Sequence, residues 1–154
     1  MCRKKICLIS SSGGHLEQIR QLKEISERYD CFYVVTRTKA TEAMKQRRYI
    51  VSDLVRKNRT AMLFRMLKMV LEQFIVFFRE RPDVILTTGA AVAIPMCVIG
   101  KIFRKKIIYI ESFARMTMPS KTGLFVYKFA DLFIIQWEEL KKYYPRAVYG
   151  GAIY

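Results

Sequence analysis

Short apolar runs without polar alternation, separated by longer stretches of helical period, constrain this chain more than any other feature. Runs of strand length stand at 5–10, 31–36, 84–87, 107–110 and 132–135, with a sixth candidate at 147–149. They are built from Val, Ile, Leu and Phe with few polar interruptions. An antiparallel sheet with one wet face would alternate. Continuous apolar strands are what a parallel sheet covered by helices on both faces requires. The predicted fold class is therefore α/β, a doubly wound parallel sheet. At 154 residues and 52% hydrophobic content the chain has enough material for one core, so a single domain over 1–154 is expected.

Between the strands, residues 14–28 carry Leu16, Ile19, Leu22 and Ile25 on one helical face, and 60–79 form the next predicted helix, ended by Pro82. The uncharged run 84–100 contains Gly89 and Pro95. It reads as strand, turn and short helix, because a spanning helix needs about 20 apolar residues. The stretch 61–78 is different. Arg65, Lys68 and Glu72 share one narrow polar stripe and the remaining surface is apolar. Such a helix either lies in a membrane interface or is sandwiched against a partner subunit. The membrane reading places Leu63, Phe64, Leu67, Phe74, Phe77 and Phe78 in the lipid boundary, with Arg56, Lys57, Arg59, Arg65 and Lys68 meeting anionic headgroups.

The formal charge is +15, from 28 Lys and Arg against 13 Asp and Glu, and this calls for an anionic partner. No nucleic-acid reading motif accompanies the charge, so no nucleic-acid partner is expected, although a basic nucleic-acid module remains a competing class. The aromatic share of 13% argues against disorder. Cys2, Cys7, Cys31 and Cys97 form no CxxC pair and lie near no ligand histidine. No metal or cofactor is expected, and the thiols suit a reducing compartment. The apolar run 6–9 is too short for a signal sequence, so no secretion signal is expected.

Ligands of doubly wound sheets bind outside the carboxyl ends of the strands, so the turns that follow strands hold the candidate chemistry. After the first strand comes Ser10-Ser11-Ser12-Gly13-Gly14-His15. Small residues there let backbone N–H groups at a helix start approach a phosphate. Thr88 and Gly89 follow the strand at 84–87, and Glu111, Ser112 and Arg115 follow that at 107–110. Each turn has a plain reading: a tight turn at Thr88-Gly89, a surface ion pair between Glu111 and Arg115. A dinucleotide site fits poorly. The G-x-G-x-x-G spacing is absent and 36–39 offers no acid for a ribose, only Arg37 and Lys39 for an NADP-like phosphate.

Four segments in order, Ser-Ser-Gly-Gly-His-Leu at 11–16, Arg-Pro-Asp-Val-Ile-Leu-Thr-Thr-Gly at 81–89, Ile-Glu-Ser-Phe-Ala-Arg at 110–115 and Ala-Asp-Leu-Phe-Ile-Ile-Gln-Trp-Glu-Glu-Leu at 130–140, resemble the asparagine-linked glycosylation protein 14 family. Its bacterial members serve capsule and exopolysaccharide synthesis. The resemblance implies a Rossmann-like fold similar to the N-terminal half of a GT-B glycosyltransferase split over two polypeptides. The partner, a donor-binding glycosyltransferase subunit, would hold the UDP-sugar. This chain would recruit it, supply the acceptor side for a polyprenyl-diphosphate-linked sugar, and sit peripherally on an anionic membrane surface at the cytoplasmic face of the plasma membrane. Eukaryotic members usually begin with a spanning helix; here the helix at 61–78 is the expected attachment. By the same resemblance, Gly13, Gly14 and His15 would lie against the acceptor diphosphate, and the rim of turns that they share with Ser11, Ser12, Thr88, Gly89, Ser112 and Arg115 would bind acceptor and diphosphate. His15 would be the base, with Glu111 as an alternative base or as the group that orients the acceptor, because an imidazole titrates near neutrality. The apolar C-terminal end, Tyr149, Ile153 and Tyr154, with Trp137 nearby, would meet the partner.

Overall fold

The computed structural model describes residues 3–53 and 59–153. Among these, seven strands form one sheet in the order β3-β2-β1-β4-β5-β6-β7, parallel throughout. They are β1 Lys5–Ser10, β2 Asp30–Thr36, β3 Arg48–Val51, β4 Val84–Thr87, β5 Lys106–Ile110, β6 Leu132–Ile135 and β7 Val148–Tyr149. The helices are α1 Gly14–Gln21, α2 Lys23–Arg28, α3 Lys39–Glu42, α4 Arg59–Glu80, α5 Ala93–Ile102 and α6 Lys121–Val126, with a 3-10 turn over Glu138–Lys142.

The absence of polar alternation is explained by two cores, one on each face of the sheet. Successive side chains of a strand point to opposite faces. Along β1, Cys7 and Ile9 enter the larger core with Phe32, Val34, Ile85 and Tyr109, beneath Met69, Val76 and Phe77 of α4 and Met96 and Cys97 of α5. Ile6 and Leu8 enter the smaller one with Tyr33, Val35 and Leu86, beneath Leu16 and Ile19 of α1. Both residue sets are dry, so neither can be polar. The approach of α5 is close enough to require glycine: a Cβ on Gly100 would stand 2.2 Å from Ile85 Cδ1.

Sheet order reverses between β1 and β4. From β1 the chain proceeds outward to β2 and β3, then returns through α4 to β4 on the other side. The turns that leave β1 and β4 therefore lie side by side at the carboxyl edge of the sheet, where doubly wound folds place their ligands.

The structure departs from expectation in two places. The helix expected over 14–28 breaks at Leu22, whose φ of −76° and ψ of 51° are not helical. The side chain still packs on the smaller core, which is why the apolar period runs through the break. Strand β3 was not expected, because Arg47, Arg48 and Tyr49 leave no apolar run of the kind that marks the other strands. Arg47 pairs with Asp30 and Glu80, and the Arg48 guanidinium donates to Glu42 O at 2.6 Å. The short α3 is closed by a capping box between Thr38 and Thr41, and α6 by Ser120, whose hydroxyl accepts from the Gly123 amide.

Candidate functional site

His15 occupies the second position of α1 and faces the loop after β4. Its Nδ1 lies 2.9 Å from the Thr88 carbonyl oxygen, and the Thr88 hydroxyl donates back to the His15 carbonyl at 2.8 Å. A carbonyl only accepts, so the proton sits on Nδ1 and the lone pair of the neutral ring is on Nε2. The first bond thus fixes the ring's tautomer and direction, and the second ties the backbone of α1 to the loop after β4. Behind the ring, Gly89 holds φ at 113°, and a Cβ there would stand 3.0 Å from Tyr109 Oη and 3.2 Å from His15 Cε1. Gly89 is therefore required for the space it leaves. Its amide donates to Thr87 Oγ1 and is not available to an anion.

The turn into α1 depends on Gly13, with φ of 90°. Its carbonyl takes the amides of Leu16 and Glu17, and no side chain caps the helix. The N–H groups of the first turn, at Gly14 and His15, are left to meet an anion. Ser12 has a different job from the one expected. Its amide donates to Thr36 Oγ1 and its hydroxyl accepts from the same oxygen, tying the turn to the end of β2.

Glu111 corrects the expectation most clearly. It is completely buried, so it makes no surface pair with Arg115. Oε1 accepts from the Ser112 amide at 3.0 Å. Oε2 accepts from the Ser120 amide at 3.2 Å, the Ser120 hydroxyl at 3.1 Å and the Tyr144 hydroxyl at 2.6 Å. Burial first, and the Glu111 carboxylate second, push the Tyr144 phenol far up, so it stays a donor. With its acceptor sites committed in the interior, Glu111 is not placed to take a proton from a substrate. It fastens both ends of the loop 112–120. Gln136 adds a third tie by donating to the Glu111 carbonyl. Gly123 leaves the room, since a Cβ there would stand 2.3 Å from Glu111 Oε2.

That loop forms one wall of a cleft of about 560 Å³, with His15 and Ala90 opposite Ser112, Arg115, Met118 and Lys121. Among the described residues neither Arg115 nor Lys121 has an acidic partner. The cleft therefore combines an oriented imidazole with two free cations beside a helix start, which suits an anionic ligand carrying a hydroxyl. Of the residues expected here, His15, Ser112 and Arg115 line it, Thr88 and Gly89 hold or make room for the His15 ring, and Ser11 to Gly14 are not part of its lining. Lys121 was missed, although Pro119-Ser120 ahead of it is a helix-start signal.

The outer face of α4 is apolar and uncovered. Leu63, Phe64, Leu67, Leu71, Phe74, Ile75 and Phe78 are exposed, Phe64 at 76%, with Arg65 and Lys68 alongside. Phe78 meets Phe103 at 5.0 Å, and exposed Ile102 adjoins it, so the face continues onto the end of α5. Phe77 is a correction. At 3% exposure it belongs to the core, where it packs with Val76, Cys97 and the sheet. Arg56 and Lys57 lie outside the described residues, as do Cys2 and Tyr154. No described helix is long and apolar enough to cross a membrane.

Near the C-terminal end, Tyr149 is exposed. Trp137 is engaged within the chain, its indole donating to the Phe113 carbonyl at 2.8 Å, and the Ile153 amide donates to Gln136. Of the two candidates for an NADP phosphate, Arg37 is paired with Glu42 at 2.7 Å.

Residues 6–153 match the family model described as oligosaccharide biosynthesis protein Alg14 like. A human protein named UDP-N-acetylglucosamine transferase subunit ALG14 is 29% identical over 96% of this chain and 82% of its own length. The rat protein of that name is 34% identical over 64% of this chain and 49% of its own. Among solved structures, Acinetobacter baumannii MurG superposes with a TM-score of 0.70 at 16% identity, over 88% of this chain and 42% of that one. A UDP-N-acetylglucosamine 2-epimerase from Rickettsia bellii gives 0.70 at 13%, over 93% and 41%. The chain thus spans about two fifths of these solved proteins, and their likeness establishes the Rossmann-like fold shared with GT-B glycosyltransferases.

Proposed function

The chain belongs to the Alg14-like family of oligosaccharide biosynthesis proteins, and on that premise we propose that it is the acceptor-side, membrane-bound subunit of a two-chain transferase. The transferase moves a sugar, N-acetylglucosamine by the names of the relatives, from a UDP donor to a polyprenyl-diphosphate-linked sugar. A separate subunit holds the donor. The relatives' names, which call each protein a transferase subunit, support this division. The setting is capsule or exopolysaccharide synthesis at the cytoplasmic face of the plasma membrane, and the uncovered face of α4 rests on anionic lipid. The exposed edge at Val148 and Tyr149 is where the donor-binding subunit docks.

His15 Nε2 removes the proton of the acceptor hydroxyl as its oxygen bonds to the anomeric carbon and the bond to UDP breaks. Arg115, Lys121 and the first-turn amides of α1 hold the acceptor diphosphate. The observation that carries this reading is the clasp between His15 and Thr88, which aims a fixed lone pair into a cationic cleft. In the reconstituted pair, His15→Ala is expected to lower kcat by about 10²- to 10⁴-fold while co-purification and membrane binding persist. Undiminished kcat would remove His15 from the role.

A further inference from the structure

A second cavity, of about 330 Å³, lies between α4 and α5 and is lined by Met66, Met69 and Val70 on one side and Ala91, Ile94 and Val98 on the other. Every residue lining it is apolar. Its position matters more than its volume. Ala90 lines the cationic cleft and Ala91, the next residue, lines this groove, with the turn between them set by the left-handed φ of 72° at Ala90. Parallel strands and returning helices require α4 to begin at the carboxyl edge of the sheet and run away from it, and α5 to do the same. The groove runs from Ala91, just before α5, along that helix to Ile99 and against Met66 to Val70 of α4, so its Ala91 end lies at that edge. On its outer side, Met66 and the exposed Leu63, Leu67 and Leu71 carry it onto the uncovered face of α4.

We infer that this groove seats the first isoprene units of the acceptor's lipid tail, linking the diphosphate in the cleft to the bilayer under α4. The inference rests on the proposed function and adds a tail-binding subsite to it. An amphiphile whose diphosphate lies beside His15 and whose tail ends in a bilayer must cross the protein surface between them. Each methylene left in water on that path weakens binding. Between cleft and face, the groove is an apolar route that begins where the polar one stops. A helix of a partner or a bilayer acyl chain would have no reason to start at Ala90.

The test uses the full chain with its donor-binding subunit, in detergent micelles, and two synthetic acceptors bearing the same diphosphate sugar, one with a polyprenyl tail and one with a propyl group. Val98→Trp fills the groove from α5, and Met66→Trp fills it from its half-exposed outer wall, where folding is least at risk. For the prenyl acceptor, KM is expected to rise about tenfold, the loss for roughly two methylenes kept in water. The propyl acceptor should be unaffected, and sedimentation with anionic vesicles unchanged. Equal effects on both acceptors, or no change in prenyl KM, would overturn the inference. So would loss of vesicle binding or of co-purification with KM intact, which would give the groove to the bilayer or to the partner subunit. Failure of the unaltered pair to transfer to either acceptor would instead sink the proposed function.

Discussion

The loop after β5 and the outer face of α4 solve opposite problems. In the loop, a buried carboxylate is matched by two amides, a serine hydroxyl and a tyrosine hydroxyl, so its desolvation is offset within the chain. Helix α4 exposes nine large apolar side chains, and nothing among the described residues covers them. Buried polar groups are tolerable only when paired, whereas an apolar patch of this extent marks a surface meant for something else. The first region is complete in isolation; the second becomes complete on contact.

The largest expected effect follows from breaking the complete region. Glu111→Ala strands two amides and a phenol in the interior and should cost about 3–5 kcal/mol of unfolding free energy, read by urea titration. A change under 1 kcal/mol would mean that the loop is not held by this carboxylate. Within α4, two adjacent residues sharpen the contrast. Phe77→Ala should cost about 3–5 kcal/mol, as for core phenylalanines, and Phe78→Ala, which is 42% exposed, about 1 kcal/mol or less. Similar values would show that the outer face is covered after all.

A smaller effect is expected with acid. Burial pushes the Glu80 carboxyl up, but hydrogen bonds from Tyr49 and Lys5 and the charge of Arg47 outweigh it and leave it below the usual range. A depressed carboxyl adds stability above its unfolded pKa and loses it as pH falls through the folded one. Stability should therefore decline below about pH 4, and Glu80→Gln should flatten that decline. The smallest effect on folding belongs to the outer face. Glutamate at Leu63, Phe64 and Leu67 should change stability by about 0.5 kcal/mol or less per site and yet abolish sedimentation with anionic vesicles. Retained sedimentation would assign the face to a protein partner.

Much of this architecture is legible in the chain. Strands β1, β4 and β6 fall at the expected residues because dry strands admit only apolar side chains, and α4 is marked by its period. Strand β3 was hidden because Arg47, which pairs with Asp30 and Glu80, and Arg48, which donates to the Glu42 carbonyl, look in sequence like free charge. The rim was legible in part: His15, Ser112 and Arg115 do share a cleft. Lys121 and Tyr144 escaped notice because what places them is the return of the chain past Glu111, a contact 33 residues apart in the case of Tyr144.

By itself the sequence determined the parallel sheet, the Gly-Gly-His turn after the first strand and the apolar character of α4, since each follows from local period or composition. Tertiary structure decided which face of α4 stays bare, that Glu111 is a buried clamp, and that the proton of His15 sits on Nδ1. Those outcomes depend on burial and on hydrogen-bond partners brought from distant strands, and no local pattern encodes either.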